Sequence, residues 1–392
     1  MIKLSVLLLL LVVNLSYSQT VQDSTQLNPQ DQQNSAQRML SGNFGKAVTL
    51  GAYGELTYNQ PEGANGELDV QRLVLFLGYK FDDRTQFVSE IEIEHVEEIF
   101  LEQAFINYAV GDNVSLRGGL MLIPMGIINE YHEPTTFNGT ERPAVDNVIV
   151  PTTWRELGVG VSGRFPDASV GYQAYIFNGF KSTDIDGESG VKGFLKGSNG
   201  LRGGRQKGIK STVDSPTFST KIEYYGLPGL RMGLSGYFGK TQATDEVEHL
   251  DGATIGIAMV GFDARYAFKK ITARGQFIYA SLSDTQAYNT LTDKDLGSAL
   301  LGYYGEVAYN ILPLIARQRL FAFARYEKYD THAGTSGMLV RNDAYNRTDI
   351  TTGLSYHIAQ GVVIKGDYQF RDNNVPNGNV ANRLNFGIGV WF

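Results

Sequence analysis

The chain has 392 residues, with 34 Lys and Arg against 41 Asp and Glu, and its net charge at pH 7 is −7. Such an acidic chain is a poor partner for nucleic acid. Because it contains no cysteine, a disulfide framework is excluded, and stability must come from packing and hydrogen bonding. Its 45 glycines against 11 prolines make it rich in glycine without the composition of a disordered chain.

The first segment of the chain is apolar. Residues 1–18 contain one lysine, Lys3, an apolar run from Val6 to Val13, and the small residues Ser16 and Ser18. This pattern predicts a secretory signal peptide cleaved near Ser18, and the run is too short for the alternative of a membrane anchor. Residues 19–43 are rich in Gln, Asn and Ser, which predicts a flexible periplasmic segment with one short helix near 36–40.

Residues 44–392 alternate between short runs rich in Tyr, Phe, Val and Gly and groups of turn residues. No apolar run in this part approaches the length of a membrane helix, so a membrane location would require a β-barrel. Each of sixteen runs has a length suited to one barrel strand. The predicted strands are 46–58, 69–81, 85–96, 99–110, 114–124, 154–164, 169–180, 217–226, 230–240, 254–268, 271–283, 298–310, 319–329, 347–358, 362–371 and 381–392.

The connections between these runs alternate in length. Those after even-numbered runs are mostly tight, such as 111–113 and 269–270, whereas those after odd-numbered runs are mostly long, such as 125–153 and 181–216. This segregation predicts an all-β fold, a transmembrane antiparallel β-barrel of 16 strands with short periplasmic turns and long extracellular loops. A soluble, exported β-sandwich or propeller is the alternative, and it does not explain the segregation.

The last run, NRLNFGIGVWF, has two distinct faces. Read with a period of two, it is a strand with one apolar and one polar or glycine-rich face, ending at Phe392. We expect this strand to pair with the first strand and to close the barrel. We expect lipid to contact Leu384, Phe386, Ile388 and Val390, and water to contact Arg383 and Asn385.

The segment RGGLMLIPMGIINEYHEPTTFNGTERP (117–143) resembles the phosphate-selective porin O/P family of Gram-negative outer membranes. In that family a strand runs through a corner, here Pro124–Gly126, into a long third loop, and segments 69–81 and 175–180 are also similar. The resemblance implies a sixteen-stranded barrel, often trimeric, whose third loop folds inward to constrict the pore. Phe392 resembles the carboxy-terminal signal that the outer-membrane barrel assembly machinery recognises.

Charged residues fall on the predicted water-facing side of the strands. Both signs occur, and opposed charges at a constriction create a transverse field that tunes ion selectivity. The alternative is a solvated lumen wall without a role in selectivity. The pore-lining candidates are Arg72, Glu90, Glu92, Glu94, Arg117, Arg231, Arg265, Arg274, Lys365 and Arg371. The candidates in the constriction loop are Glu130, Glu133, Glu141 and Arg142. Because acids interrupt the arginines, the sequence leaves selectivity for anions open.

The fourth long connection contains a basic, glycine-rich stretch without an acidic residue. We expect its field to attract anionic solutes or the phosphates of lipopolysaccharide, the alternative being a mobile, solvated loop. The basic residues are Lys192, Lys196, Arg202, Arg205, Lys207 and Lys210.

These features predict a porin in the outer membrane of a Gram-negative bacterium, surrounded by lipid and lipopolysaccharide. The family resemblance implies a homotrimer, while the sequence itself leaves the oligomeric state open. The porin would pass small hydrophilic solutes or ions by passive diffusion, including anions such as phosphate. The alternative is a plugged barrel that acts as a structural or docking component. A barrel-embedded hydrolase using Ser355 and His357 is a third hypothesis. We expect no enzymatic activity and no cofactor. We also expect no metal site, because the five histidines lack metal-ligand spacing.

Overall fold

The computed structural model describes residues 33–41, 47–187, 190–378 and 380–392. Within these ranges the chain forms a closed antiparallel barrel of sixteen strands, in which the last strand pairs with the first. The expected transmembrane β-barrel is therefore confirmed. In chain order the barrel strands are β1 Val48–Pro61, β2 Glu67–Lys80, β3 Thr85–Glu94, β4 Glu98–Gly111, β5 Val114–Leu122, β6 Arg155–Phe165, β7 Val170–Phe177, β8 Thr217–Leu227, β9 Leu230–Lys240, β10 Gly256–Phe268, β11 Ile271–Leu282, β12 Ala299–Asn310, β13 Arg319–Gly334, β14 Asn346–Ala359, β15 Val362–Asn373 and β16 Arg383–Trp391.

Short and long connections lie at opposite rims of the barrel. One rim, called here the turn end, carries the start of β1, the end of β16 and the short connections, the longest of which is 311–318. The other rim, called here the loop end, carries the long connections 123–154 and 178–216. The second of these contains a hairpin of two short strands, Thr183–Asp186 and Gly190–Gly193, that the sequence pattern did not predict.

Three short α-helices accompany the strands in the described ranges. They are α1 Ser35–Ser41, α2 Val145–Val148 and α3 Thr285–Thr292. The helix α1 confirms the short helix expected near 36–40, while residues 1–32, which include the predicted signal peptide, lie outside the described residues. No helix in the described part of the chain is long and apolar enough to span a membrane.

The outer face of the barrel is apolar and exposed. On β2, Leu73, Leu75 and Leu77 are 41 to 44% exposed, whereas the alternating Arg72 and Val74 are at most 1% exposed. An apolar belt of this kind would be unfavourable in water, because soluble proteins keep exposed apolar patches small. It suits a wall whose outer face contacts lipid and whose inner face contacts polar groups.

The seam between β1 and β16 closes the sheet. Its register runs from Tyr53 opposite Trp391 to Pro61 opposite Arg383. Beyond β16, the Phe392 N–H donates to the Ala52 carbonyl at 2.9 Å, and the Ala52 N–H donates back at 3.1 Å. Both faces follow the expected alternation: Leu384, Phe386 and Ile388 are 39 to 50% exposed outside, while Asn385 is fully buried inside.

Ile388 lies near the middle of β16 on the outer face, and an arginine there would place a charge in hydrocarbon. We expect I388R to lower the free energy of unfolding of the barrel in lipid vesicles by about 2 to 4 kcal/mol. The matched control is I315R, because Ile315 is 95% exposed in the connection 311–318, outside the strands. Guanidinium unfolding followed by tryptophan fluorescence measures both, and equal effects would contradict the lipid-facing assignment.

Candidate permeation path and constriction loop

The connection 123–154 between β5 and β6, called here the constriction loop, folds into the lumen. Every residue from 123 to 140 is buried. Its entry is a corner at Gly126, which has φ +75°, a left-handed conformation that favours glycine. A Cβ at this position would lie 2.9 Å from Oε1 of Gln276 on β11. The corner therefore turns the loop into the lumen, against β11, and an inward fold of this loop is what the resemblance at 117–143 implied.

Two glycines of β16 leave room for the far part of the loop. A Cβ at Gly389 would lie 2.6 Å from Cβ of Pro134, and a Cβ at Gly387 would lie 3.0 Å from Cγ2 of Thr140. Since real Cβ contacts are rarely so close, larger residues at these positions would displace the loop. The constriction loop therefore crosses the lumen from β5 to β16 before it returns to β6.

Lys221 on β8 is the first charged anchor of the loop. Its Nζ is 2.7 Å from Oε2 of Glu130 in the loop and 3.3 Å from Oδ2 of Asp263 on β10. The same Nζ donates to the Gly126 carbonyl at 2.9 Å. All of these side chains are nearly or fully buried, so removing the ammonium would leave two uncompensated carboxylates.

Arg325 on β13 is the second anchor. Its guanidinium contacts Glu327 at 2.8 Å and Glu306 at 3.4 Å, and it donates to the carbonyls of Asn138 and Glu141 at 3.4 and 3.3 Å. Glu306 also pairs with Arg274 at 3.2 Å. Charges of both signs on the wall thus compensate one another and hold the backbone of the loop.

Arg72 on β2 is the third anchor, on the opposite side of the lumen. Its Nε donates to Glu55 at 2.6 Å, and its Nη2 donates to the His132 carbonyl at 2.6 Å. On β15, Asp367 accepts from the Thr140 N–H at 2.6 Å. The loop is therefore fixed from several directions, and buried charged hydrogen bonds of this kind are costly to break from one side only.

The ten pore-lining candidates all lie on the lumen side, but the constriction loop divides them. Those buried beneath the loop or within the wall are Arg72, Glu90, Glu92, Arg265, Arg274 and Lys365. Those that keep partial exposure are Glu94, Arg117, Arg231 and Arg371. The second group is accessible from the lumen, and within the first group Arg72 and Glu92 still line a cavity.

Several charged lumen residues were not among the candidates from the sequence, including Glu102, Arg155 and Glu306. Glu306 follows the alternation of β12, in which it faces the lumen and the next residue, Val307, faces outward. Its position could therefore have been predicted from the sequence pattern. Glu102 points inward because β4 has a bulge: Glu90 pairs with Gln103, and the next residue pairs with Leu101. A bulge inserts one residue and reverses the alternation locally, which the sequence did not indicate.

The basic stretch of the fourth loop is divided by the fold. Lys192, Lys196 and Lys210 are exposed, whereas the other three basic residues turn toward the lumen. Arg202 donates to the Thr152 carbonyl at 2.8 Å, and Arg205 donates to the Pro151 carbonyl at 2.9 Å. These two arginines therefore tie the fourth loop to the end of the constriction loop.

Six cations and five acidic residues line a cavity of about 180 Å³ on the loop-end side of the constriction loop. Of the cations, Arg72 pairs with Glu55, and the other five form a cluster. Burial and the charges of Arg202 and Arg155 lower the pKa of Arg205 to about 9. Arg155 is 4% exposed, and its Nε has no hydrogen-bond partner among the described residues. The cationic cluster consists of Arg142, Arg155, Arg202, Arg205 and Lys207. Because these cations repel one another, an anion in the cavity would stabilise them.

The helix α1 lies inside the lumen on the turn-end side of the constriction loop. Asn34 Nδ2 donates to the Glu130 carbonyl at 2.9 Å, and the Ser35 N–H donates to Oε1 of Glu133 at 2.5 Å. The Arg38 guanidinium lies 4.4 Å from the ring centroid of Trp391. Part of the segment expected to be flexible is thus packed against the loop, beside a second cavity of about 270 Å³.

Asp146 lies in α2, within the constriction loop. Its Oδ1 accepts from Nε2 of Gln276 at 2.9 Å, while Oδ2 has no hydrogen-bond partner in the described ranges. Burial raises the pKa of this carboxyl to about 7, since the charged form is poorly solvated there.

The fold is that of outer-membrane β-barrels. The chain is similar to the anion-selective porin from Comamonas acidovorans, with TM-score 0.58 and 12% identity over 88% of this chain and all of that one. It is equally similar to the outer membrane channel DcaP of Acinetobacter baumannii, with TM-score 0.58 and 12% identity over 88% of this chain and 97% of that one. A third similar structure is OmpT of Vibrio cholerae, with TM-score 0.55 and 10% identity over 90% of this chain and all of that one. Identities this low show the fold alone.

One sequence relative defines the family. An uncharacterized protein of Aquifex aeolicus is 34% identical over 348 residues, which are 83% of this chain and 76% of that protein. The chain belongs to the family of this Aquifex aeolicus protein. No family model matches the chain, and the resemblance to the phosphate-selective porin O/P family is not confirmed.

The raised pKa of Asp146, about 7, has a consequence for stability. An unfolded aspartate has a pKa of about 3.9, so between pH 4 and 7 the folded protein binds the extra proton and the free energy of unfolding falls as pH rises. The D146N variant lacks this proton. We expect its stability, measured relative to the wild type by guanidinium unfolding, to improve from pH 4 to 7 and to stay constant above pH 8. A constant difference across the whole range would contradict the assignment.

Proposed function

We propose that the protein is an outer-membrane channel of a Gram-negative bacterium, through which small hydrophilic solutes and ions diffuse passively. The observation that carries this proposal is the charged lumen wall inside a closed sixteen-stranded barrel with an apolar outer face. A barrel of this strand number encloses a lumen wider than its side chains can fill. Porins and channels share the fold, which supports the proposal.

The path through this channel is narrow. The constriction loop occupies the middle of the lumen, with one polar cavity on its turn-end side and another on its loop-end side. Charges of both signs line the two cavities, including Arg117 and Glu223 on one side and Arg142 and Glu94 on the other. A field across a narrow path favours small ions and polar solutes over large or apolar ones.

The cationic cluster gives the loop end a preference for anions in this proposal. Its members are grouped around one cavity, whereas much of the opposing acid is engaged, as Glu55 is with Arg72 at 2.6 Å. Clustered charge in a cleft raises the local concentration of counter-ions. Inorganic phosphate and other small anions are the solutes that this arrangement favours, which extends the named anion selectivity of the Comamonas acidovorans porin to this chain.

The remaining partners follow from the same proposal. Lipid would contact the apolar belt, and lipopolysaccharide phosphates would contact the exposed Lys192, Lys196 and Lys210 at the loop end. Phe392 would be the contact for the barrel assembly machinery. A homotrimer is the proposed assembly, and the OmpT of Vibrio cholerae with this fold is described in a trimer form.

Planar bilayers test the channel and its selectivity together. We expect stepwise conductance and, under a KCl gradient, a reversal potential that indicates anion preference. Two unit charges about 10 Å from an ion contribute about 0.8 kcal/mol in water before screening, so R202Q/R205Q should lower the anion-to-cation permeability ratio about two- to fourfold. The charge-preserving R202K/R205K should keep the ratio.

The matched control is K192Q/K196Q, which removes two exposed cations from the same loop. It should change the ratio much less than R202Q/R205Q, because these lysines point away from the lumen cavity. Folded protein without stepwise conductance would contradict the channel. Conductance with cation preference, or equal effects of the two double variants, would contradict the anion-attracting cluster.

A plugged barrel that serves as a structural or docking component is the second candidate. The position of α1 favours it, because Ser35 and Met39 are buried in the lumen beneath the constriction loop. Deleting residues 19–41 removes this helix. A several-fold rise in conductance would assign a plugging role to the helix, whereas the narrow-channel proposal predicts only a small rise, since the constriction loop remains in place.

A further inference from the structure

We propose that a divalent transition-metal cation binds between the barrel wall and the constriction loop. The ligands are Glu90 on β3, Glu102 on β4 and His132 in the constriction loop. One ligand atom from each lies within 4.8 Å of the others. The site joins three elements that are separate in the sequence, which is why the spacing of the histidines did not indicate it.

Each of these three side chains is buried and has one polar atom without a hydrogen-bond partner among the described residues. Glu90, Glu102 and His132 are 1%, 0% and 2% exposed. Among the described residues, Glu90 Oε2, Glu102 Oε1 and His132 Nε2 have no hydrogen-bond partner. Oε2 of Glu102, by contrast, accepts from the Tyr53 hydroxyl at 3.0 Å. Burying polar atoms without partners is unfavourable, and one such atom on each of three clustered side chains points to a missing positive ligand.

The imidazole of His132 is oriented for binding a cation through Nε2. Nδ1 of His132 lies 3.3 Å from the Asn129 carbonyl, which can only accept a hydrogen bond. A proton on Nδ1 leaves the lone pair of Nε2 free, and Nε2 lies 3.4 Å from Oε2 of Glu102. Asn129 is itself held by donation to the Trp154 carbonyl at 3.0 Å. Metal-binding histidines commonly have such a second partner, which sets the tautomer.

The balance of charge around the cluster also favours a cation. The carboxylates facing this region are Glu90, Glu92 and Glu102 from the wall and Glu133 from the loop. The nearby cations are Arg72, Arg142 and Arg155, and Arg72 pairs with Glu55 at 2.6 Å and is 4.0 Å from Glu92. Because the four carboxylates and Glu55 outnumber these three cations, an excess of negative charge remains, which a divalent cation would neutralise.

The donor set selects the class of metal. One imidazole and two carboxylates suit Zn²⁺ and related transition metals, whereas Ca²⁺ and Mg²⁺ prefer oxygen ligands alone. At bond lengths of about 2.1 Å, tetrahedral ligand atoms lie about 3.4 Å apart, so the site must contract on binding. That contraction would fasten the constriction loop to β3 and β4.

The test uses the folded full chain in detergent, stripped with EDTA and titrated with Zn²⁺ by calorimetry. We expect one Zn²⁺ per chain, and at least about tenfold weaker binding in H132Q and in E102Q. The matched control is H249Q, because His249 is an exposed histidine outside the cluster, and it should bind as the wild type does. Heat-dependent gel mobility shows whether each variant is folded.

Two results would overturn the proposal. The first is a folded wild type that takes up no stoichiometric Zn²⁺. The second is binding that H132Q and E102Q keep. If either variant fails to fold, X-ray absorption at the zinc edge of the wild type decides: a shell with one imidazole nitrogen supports the site, and an all-oxygen shell contradicts it.

Discussion

Closure of the sheet between β1 and β16 is the constraint on which the rest of this structure depends. Hydrocarbon offers no hydrogen-bond partners, so a β-sheet can span a membrane only when its last strand pairs with its first. The register of the seam, and the reciprocal bonds between Ala52 and Phe392, meet that requirement. Closure with sixteen strands also creates a wide polar interior, which is filled in part by other segments of the same chain.

The constriction loop occupies much of that interior, and the wall is built to receive it. Glycines at 387 and 389 make space, and Lys221, Arg325 and Arg72 hold the loop through buried ion pairs and bonds to its carbonyls. Buried ion pairs contribute little net stability but penalise alternative arrangements, because a displaced loop would leave charges uncompensated. One set of residues thus fixes the loop and shapes the path beside it.

Much of the barrel was predictable from the sequence, because strands and turns are local patterns. The strand expected at 230–240 is observed with those bounds, and the glycine-rich inner face of β16 was anticipated. The interior was less predictable, since contacts across the lumen join distant residues. The side chain of Glu102 points inward because of a bulge in β4. Some basic residues of the fourth loop turn toward the lumen because they donate to carbonyls near 151–153. His132 approaches Glu90 only after the constriction loop has folded.

A designed disulfide between the loop and β16 tests the central claim, that the constriction loop crosses the lumen, most directly. The chain has no cysteine, so T140C/G387C would contain the only pair, and a Cβ at position 387 would lie 3.0 Å from Cγ2 of Thr140, within reach of a disulfide. We expect the folded double variant to lose both free thiols under mild oxidation, whereas T140C/G305C, with its second cysteine on the outer face of β12, keeps them. Free thiols in folded T140C/G387C would contradict the account.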